Sequence, residues 1–228
     1  MTFDELQKTI GVTFSKPDLL RQAFVHRSYL NEAKNIQGSN ERLEFLGDAV
    51  LSFLTSDFLY KKFPEFPEGK LTNIRSSLVN TKTLSEIAQT LNLGELLFLS
   101  HGEQESGGRN NSSLLADVFE ALLGAMFLDQ GVDVCRGYLT GFLFVRVEDI
   151  IKTKAYVDYK SLLQEIVQET SKTSPTYHVT KSEGPDHAKT FWVDVVSDGK
   201  KLGEGEGKSK HEAEQHAALA ALDALGQK

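Results

Sequence analysis

The chain has a single cysteine, Cys135, among 228 residues, so no disulfide can form within it and a reducing compartment, the cytoplasm, is expected. The opening Met1-Thr2-Phe3-Asp4-Glu5 lacks the basic start and apolar stretch of a secretory signal. No window reaches the roughly 18 uncharged apolar residues of a membrane helix, so no membrane association is expected. The longest apolar stretch, Leu114 to Leu128, is interrupted by two carboxylates. Zinc-ligand spacing of cysteines and histidines is missing, and so are internal repeats and low-complexity segments. What is present is ordinary for a globular protein: 40% apolar and 25% charged residues. That excludes a disordered tail, a collagen or a repetitive polymer. At this length the chain can bury most of its apolar surface without covalent staples.

Positive charge is also in short supply. The formal net charge is −7 and the isoelectric point about 5.4. Taken alone this disfavours a nucleic-acid partner, because phosphate attraction needs local positive charge. The distribution weakens the objection. Residues 1–150 carry 20 acids and 14 bases; residues 151–228 carry 12 acids and 11 bases, with four of the six histidines. The acidity sits mainly in the first two-thirds.

Residues 1–150 read as successive helices with no strand alternation. Pro17 suits a first helical position. A long helix is predicted from about Asn40 to Lys62, stopping before Pro64. Leu71, Ile74 and Leu78, then Leu84, Ile87, Ala88 and Leu91, keep helical spacing. Gly102 to Gly108 reads as a glycine-rich loop, and Asn110 to Ser113 offer caps for the apolar helix beyond. Residues 151–157 read as a linker. Residues 158–228 then predict a helix around Leu162–Val167, strands at Thr176–Lys181, Thr190–Val196 and Leu202–Gly207, and a closing helix at Lys210–Leu225. Ser197-Asp198-Gly199-Lys200 is a hairpin turn. The fold class is thus an all-α domain over residues 1–150 followed by a small α+β module, α-β-β-β-α, over residues 158–228.

The placement of acids carries the chemistry. At about 100° per residue, Glu41, Glu44 and Asp48 fall within roughly 60° of one another on the long helix. Leu43, Leu46, Val50, Phe53 and Leu54 lie opposite. A solvated acidic face is the plain reading, yet Phe45, Ala49 and Leu51 border that face and make it too apolar for simple hydration. In Leu114–Leu128 the only polar side chains are Asp117 and Glu120, three apart on one face. A helix apolar all round is buried, and a buried carboxylate costs several kcal/mol unless paired or bound to a metal. Arg27, Arg42 and Arg75 are the candidate partners. Two helices with carboxylates on one face suggest instead a shared anionic pocket. Oxygen-only ligands favour Mg²⁺ or Mn²⁺ over zinc, and such ions most often act on phosphates.

Asn40-Glu41-Arg42-Leu43-Glu44-Phe45-Leu46-Gly47-Asp48 resembles the nine-residue signature of the ribonuclease III family. His26-Arg27-Ser28, Pro67-Glu68-Gly69, Arg75 and Leu115 to Gly124 match the flanking pieces, and the C-terminal module resembles a double-stranded RNA-binding domain. The resemblance covers essentially the whole chain. It implies a Mg²⁺-dependent endoribonuclease of double-stranded RNA, working as a homodimer, with Mn²⁺ as a substitute ion and no small-molecule cofactor. Glu44, Asp48, Asp117 and Glu120 match its metal-binding catalytic carboxylates. Glu41 and Glu68 match accessory acids at the cleavage site, and Phe45 matches an aromatic that docks into the partner subunit. Products would be short duplexes with 5′-phosphate, 3′-hydroxyl and short 3′ overhangs, and ribosomal RNA precursors are the expected transcripts.

In the module, Ser209 to Glu212 fit a capping box that places Lys208 and Lys210 at a helix N-terminus, where backbone amides already favour phosphate. Ala213, Ala217, Ala220 and Ala224 form a small-residue stripe for close packing on a sheet. The resemblance adds Ser161, Gln164, Glu165 and His187 as minor-groove contacts, in a mode that reads A-form shape rather than sequence. It also shows His211 where the family usually has a second lysine. A catalytically inactive RNA-binding protein is the alternative, and all four acidic positions being filled argues against it. A small-molecule phosphohydrolase would leave the module without a task.

Overall fold

The structure, a computed structural model, describes residues 1–33, 38–185 and 188–226. They form two compact units, Met1–Tyr156 and Val157–Lys228. Among the described residues no helix is long and apolar enough to cross a membrane.

The first unit is helical: α1 (Phe3–Ile10), α2 (Pro17–Ala23), α3 (Glu41–Lys62), α4 (Glu68–Leu78), α5 (Thr81–Thr90), α6 (His101–Glu105), α7 (Ser112–Gln130), α8 (Val132–Phe142) and α9 (Val147–Lys152). Extended pairing among its described residues is limited to one bridge, Val25 with Phe98. The hub is α7, on which α2, α3, α5 and α8 pack. Its apolar composition is why: Leu115, Ala116, Val118, Phe119 and Ala121 to Met126 are all buried. Asn111 starts it, its side-chain carbonyl accepting from Ser113 N at 2.9 Å and Leu114 N at 3.3 Å.

Two local readings are corrected. Phe53 is not on the core face of α3 but 61% exposed. The buried line of α3 runs through Leu43, Gly47, Leu51, Thr55 and Leu59. A row of every fourth residue drifts around the helix, as in ridge-into-groove packing, so a face fixed near the N-terminus no longer applies two turns later. The segment Gly102–Gly108 holds helix α6, capped by Ser100 through Glu103 N at 3.3 Å, followed by a 3₁₀ turn at Gly108–Asn110.

At the unit's end, residues 153–156 are held rather than loose. Lys154 takes a left-handed conformation, and Ala155 N donates to Ile150 O at 3.1 Å, a Schellman-type end to α9. Ile151 and Tyr156 pack against the core of this unit.

The second unit runs α10 (Tyr159–Ser171), β1 (Thr176–Glu183), β2 (Thr190–Ser197), β3 (Lys200–Gly207), α11 (Lys210–Ala224). The strands form an antiparallel sheet in the order β1-β2-β3. Asp198 and Gly199 both have positive φ, as the two-residue hairpin requires. The glycines of β3 have a packing reason. A Cβ on Gly203, Gly205 or Gly207 would run into the backbone of α11 at Ala221, Ala217 or Ala213 respectively. The buried stripe is therefore Ala213, Ala217, Ala218 and Ala221; Ala220 is only half-buried and Ala224 is exposed. The stripe follows positions i, i+4 and i+8 because successive contacts match alternate residues of an adjacent strand.

Candidate active site

The site is built on the crossing of α3 and α7. A Cβ on Gly47 would overlap the Glu120 carbonyl oxygen and lie 3.1 Å from Gly124 N; one on Gly124 would overlap the Leu43 carbonyl oxygen. Residue 43 faces 124 and residue 47 faces 120, so the helices pass in opposite directions with backbones in contact. Glu44 and Asp48 flank Gly47. Glu120 lies at the crossing and Asp117 one turn before it. The close approach therefore gathers four acids from two helices around one space.

Their electrostatics report this convergence. Burial pushes the Glu120 carboxyl up to about 8, with the charges of Asp48, Glu44 and Asp117 acting in the same direction. Burial raises Glu44 too, helped by Asp117, Glu41 and Asp48. Asp117 is raised by burial and partly restored by His26 and Arg27. The candidate basic partners are engaged elsewhere or loosely. Arg75 donates to Ser56 Oγ at 2.9 Å, and Arg27 stands 3.8 Å from Glu41. Among the described residues none of the four acids forms an ion pair.

Among the described residues, no three His, Cys, Asp or Glu side chains stand close enough as they lie to hold a metal ion. Burial, and at Glu120 and Glu44 the neighbouring carboxylates as well, disfavours the charged forms of these acids without a cation between them. The donor chemistry nonetheless fits a hard divalent cation: oxygens only, half-buried at Glu44, Asp117 and Glu120, with no lysine or arginine among the described residues ion-paired to them.

The accessory acids fare differently. Glu41 sits at the rim, accepting from Ser39 Oγ at 2.7 Å. Glu68 is exposed on α4, where it accepts from Thr72 Oγ1 at 2.9 Å, and is not among the charges that shift Glu44, Asp117 or Glu120. Phe45 is 82% exposed beside the acids. Phe53 at 61% and Tyr60 at 74% exposure continue the stripe along α3, within an arc of about 80°. Three large exposed rings in line form an apolar surface of the kind that marks association.

In the second unit, Ser161, Gln164 and Glu165 are exposed on α10, opposite buried Leu163 and Val167. Ser161 Oγ donates to Asp158 at 2.7 Å. Lys208, Ser209 and Lys210 are exposed at the start of α11. Ser209 Oγ accepts from Glu212 N at 3.1 Å, as expected of the cap. The reciprocal half differs: Glu212 accepts from Lys208 N at 2.7 Å. Glu212 thus bends back past the cap and fixes the backbone carrying Lys208. His187 lies outside the described residues.

The sequence reading missed the paired glycines that create the crossing. Their signal was a glycine inside each carboxylate-bearing helix, where glycine is otherwise unfavourable.

Comparison with known proteins is consistent over the whole length. Residues 16–147 match the family described as Ribonuclease-III-like, and residues 159–225 match the double-stranded RNA binding motif. Ribonuclease 3 of Geobacillus thermodenitrificans is 46% identical over 224 residues, spanning 98% of this chain and 91% of the relative. Ribonuclease 3 of Treponema denticola is 44% identical over 221 residues, spanning 97% and 90%. Among solved structures, the nuclease domain of ribonuclease III from Campylobacter jejuni superimposes with a TM-score of 0.58 at 34% identity, covering 65% of this chain and 95% of that one. A second structure of that domain, described for flexibility in a region involved in dimer formation, gives 0.58 at 35% identity, covering 62% and 95%.

Proposed function

The chain belongs to the ribonuclease III family, and from that footing we propose a Mg²⁺-dependent endoribonuclease that cuts double-stranded RNA through Glu44, Asp48, Asp117 and Glu120. The observation that carries this reading is the carboxylate cluster at the α3–α7 crossing, in which half-buried Glu120 and Glu44 are raised by burial and by the charges of the neighbouring acids. Residues 1–150 perform the cut, residues 158–228 capture the duplex, and residues 151–157 join them.

The four acids hold the ion, with Mn²⁺ as a substitute. When bound, it supplies a charge that activates water and neutralises the phosphate in the transition state. The protein's own part is positioning. The α3–α7 crossing fixes the acids, while Glu41 at the rim and Glu68 on α4 act as accessory acids at the cleavage site. Hydrolysis adds water across the P–O3′ bond, leaving a 5′-phosphate and a proton-bearing 3′-hydroxyl. Two sites in a homodimer, docked through Phe45, would cut both strands and leave short 3′ overhangs. Precursors of ribosomal RNA and other structured transcripts in the cytoplasm are the proposed substrates.

Metal binding is tested on stability. An ion that binds only the folded state stabilises it by mass action. Added Mg²⁺ raises the melting temperature of the wild type more than that of Asp117→Asn; equal shifts would remove Asp117 from the site.

Assembly is tested on Phe45. Sedimentation is expected to show a dimer at micromolar concentration, and Phe45→Ala to shift it toward monomer. A monomeric wild type would contradict the docking role.

Capture is tested by salt. The first 150 residues carry net negative charge and attract RNA poorly. Exposed Ser161, Gln164 and Glu165 would face the minor groove, with His187 as a second groove contact, and Lys208, Ser209 and Lys210 the backbone. Phosphate contacts release counterions and fade as salt rises. The truncated chain 1–156 is expected to cut duplex RNA at low salt with ample Mg²⁺ and to lose activity at physiological salt, where the full chain persists. Lys210→Ala gives a milder form, with a shallower salt dependence of binding. Superimposable rate-against-salt curves would mean that the second unit is not the capturing element.

A further inference from the structure

His26 occupies a defined tautomer. Its Nδ1 accepts from Ser28 N at 3.3 Å, and a backbone amide can only donate. Ser28 Oγ also lies 2.8 Å from Nδ1 and itself accepts from Ser100 N at 3.0 Å. The Ser28 hydroxyl proton is thereby directed to Nδ1, which takes two donors and carries no proton of its own. In the neutral ring the proton sits on Nε2, and no described residue accepts from it.

His26 lines a groove of about 540 Å³ together with Arg27, Asn31, Asn111, Ser113 and one carboxylate, Glu103. One of its lining residues, Ser113, stands on the face of α7 that carries the acids. Ser113, Asp117 and Glu120 share one face of α7, within about 60°, and Ser113 is roughly 6 Å along the axis from Asp117. Both His26 and Arg27 lie within electrostatic reach of Asp117. The α7 amides that belong to the groove, Ser113 N and Leu114 N, are already taken by the Asn111 side chain. The donors available in the groove are side chains, and His26 is the one whose ring is locked in place.

We infer that His26 is a positioning residue that donates from Nε2–H to a non-bridging oxygen of a strand phosphate lying in the groove beside Asp117, and so registers the scissile bond over the carboxylates. This rests on the double-stranded RNA nuclease reading. A hydrogen bond to a charged oxygen is stronger than a neutral one, and its loss misplaces the reacting strand.

The test separates the two nitrogens of the ring. His26→Asn keeps an acceptor for Ser28 N, as a good cap residue does, but ends short of Nε2. His26→Gln extends a carboxamide N–H toward the Nε2 position. Single-turnover cleavage of an RNA duplex at saturating enzyme with Mg²⁺ is expected to fall about 10- to 100-fold in His26→Asn and to recover substantially in His26→Gln. Duplex affinity and melting temperature should stay near wild type in both. Wild-type cleavage by His26→Asn overturns the inference, as do equal losses in Asn and Gln, which indicate a merely structural ring. If His26→Asn melts early, the wild type is assayed on duplexes with single neutral methylphosphonates near the cut. One position must then slow cleavage by a similar factor, and no such position overturns the inference. A wild type that leaves the duplex intact removes the nuclease reading itself; a wild type that cuts beside an equally fast His26→Asn removes only this inference.

Discussion

Glu120→Gln is expected to lose cleavage by several orders of magnitude, keep duplex binding, and be more stable than the wild type at pH 8 without divalent metal. The loss follows from removing one negative charge from the carboxylate cluster while keeping the side chain's size. The gain in stability follows from linkage. Glu120 is held up to about 8 in the folded protein, against an ordinary carboxylate in the unfolded chain. The folded state therefore binds more protons across that interval. Stability is greatest below the unfolded value near 4.5 and is lost as pH climbs through about 8. Gln has no charge to bury and escapes that loss. Allowing for water at the rim of a half-buried site, the advantage is roughly 2 kcal/mol at pH 8 and vanishes near pH 4. Thermal melts at both pH values in chelator check the sign, and Mg²⁺ should narrow or reverse the difference by stabilising the wild type. Near-normal cleavage, or a variant less stable than wild type in chelator at pH 8, would contradict the assignment.

Gly47→Ala is expected to be the most disruptive single-methyl change in the protein. Gly→Ala in an open helix interior stabilises by about 1 kcal/mol. Here the new Cβ would overlap the Glu120 carbonyl oxygen and lie 2.6 Å from its carbon, both parts of a backbone that cannot rotate away. The helices must part, at a cost of about 3 kcal/mol or more. Because the same turn of α7 carries Glu120, activity falls further than stability. Gly124→Ala, against Leu43, should behave alike. The internal control is Gly137→Ala on α8, where nothing lies within 4 Å of the added methyl. It should be neutral or slightly stabilising and fully active. Denaturant midpoints and cleavage rates for the three variants decide the matter; a Gly47→Ala protein as stable and active as Gly137→Ala would mean that the crossing does not organise the site.

The sequence was legible where one physical rule acted alone. The apolar run around Asp117 and Glu120 had to be buried, and α7 is the hub of its unit. The Asp-Gly hairpin set β2 against β3, with Ser197 paired to Lys200. Reading failed where two elements had to be known together. The exposure of Phe53 depends on how α3 drifts across α7, and the buried Ala213–Ala217–Ala221 line depends on the glycines of β3. The acids were identifiable as a set because a carboxylate in an apolar helix is anomalous. Their gathering was not, because it is made by Gly47 and Gly124, residues with no side chain to announce themselves. His26 stood in a recognised motif, but its tautomer is set by Ser28 and by Ser100, 72 residues beyond Ser28 along the chain.

The most direct test is incubation of a long RNA duplex with the full-length protein in Mg²⁺, in Mn²⁺ and in chelator, with the ends of any products analysed. Cleavage in Mg²⁺ and Mn²⁺ to short duplexes bearing 5′-phosphate and 3′-hydroxyl, with none in chelator, is the result this structure predicts. Cutting that persists in chelator, or an intact duplex under every condition, would contradict it.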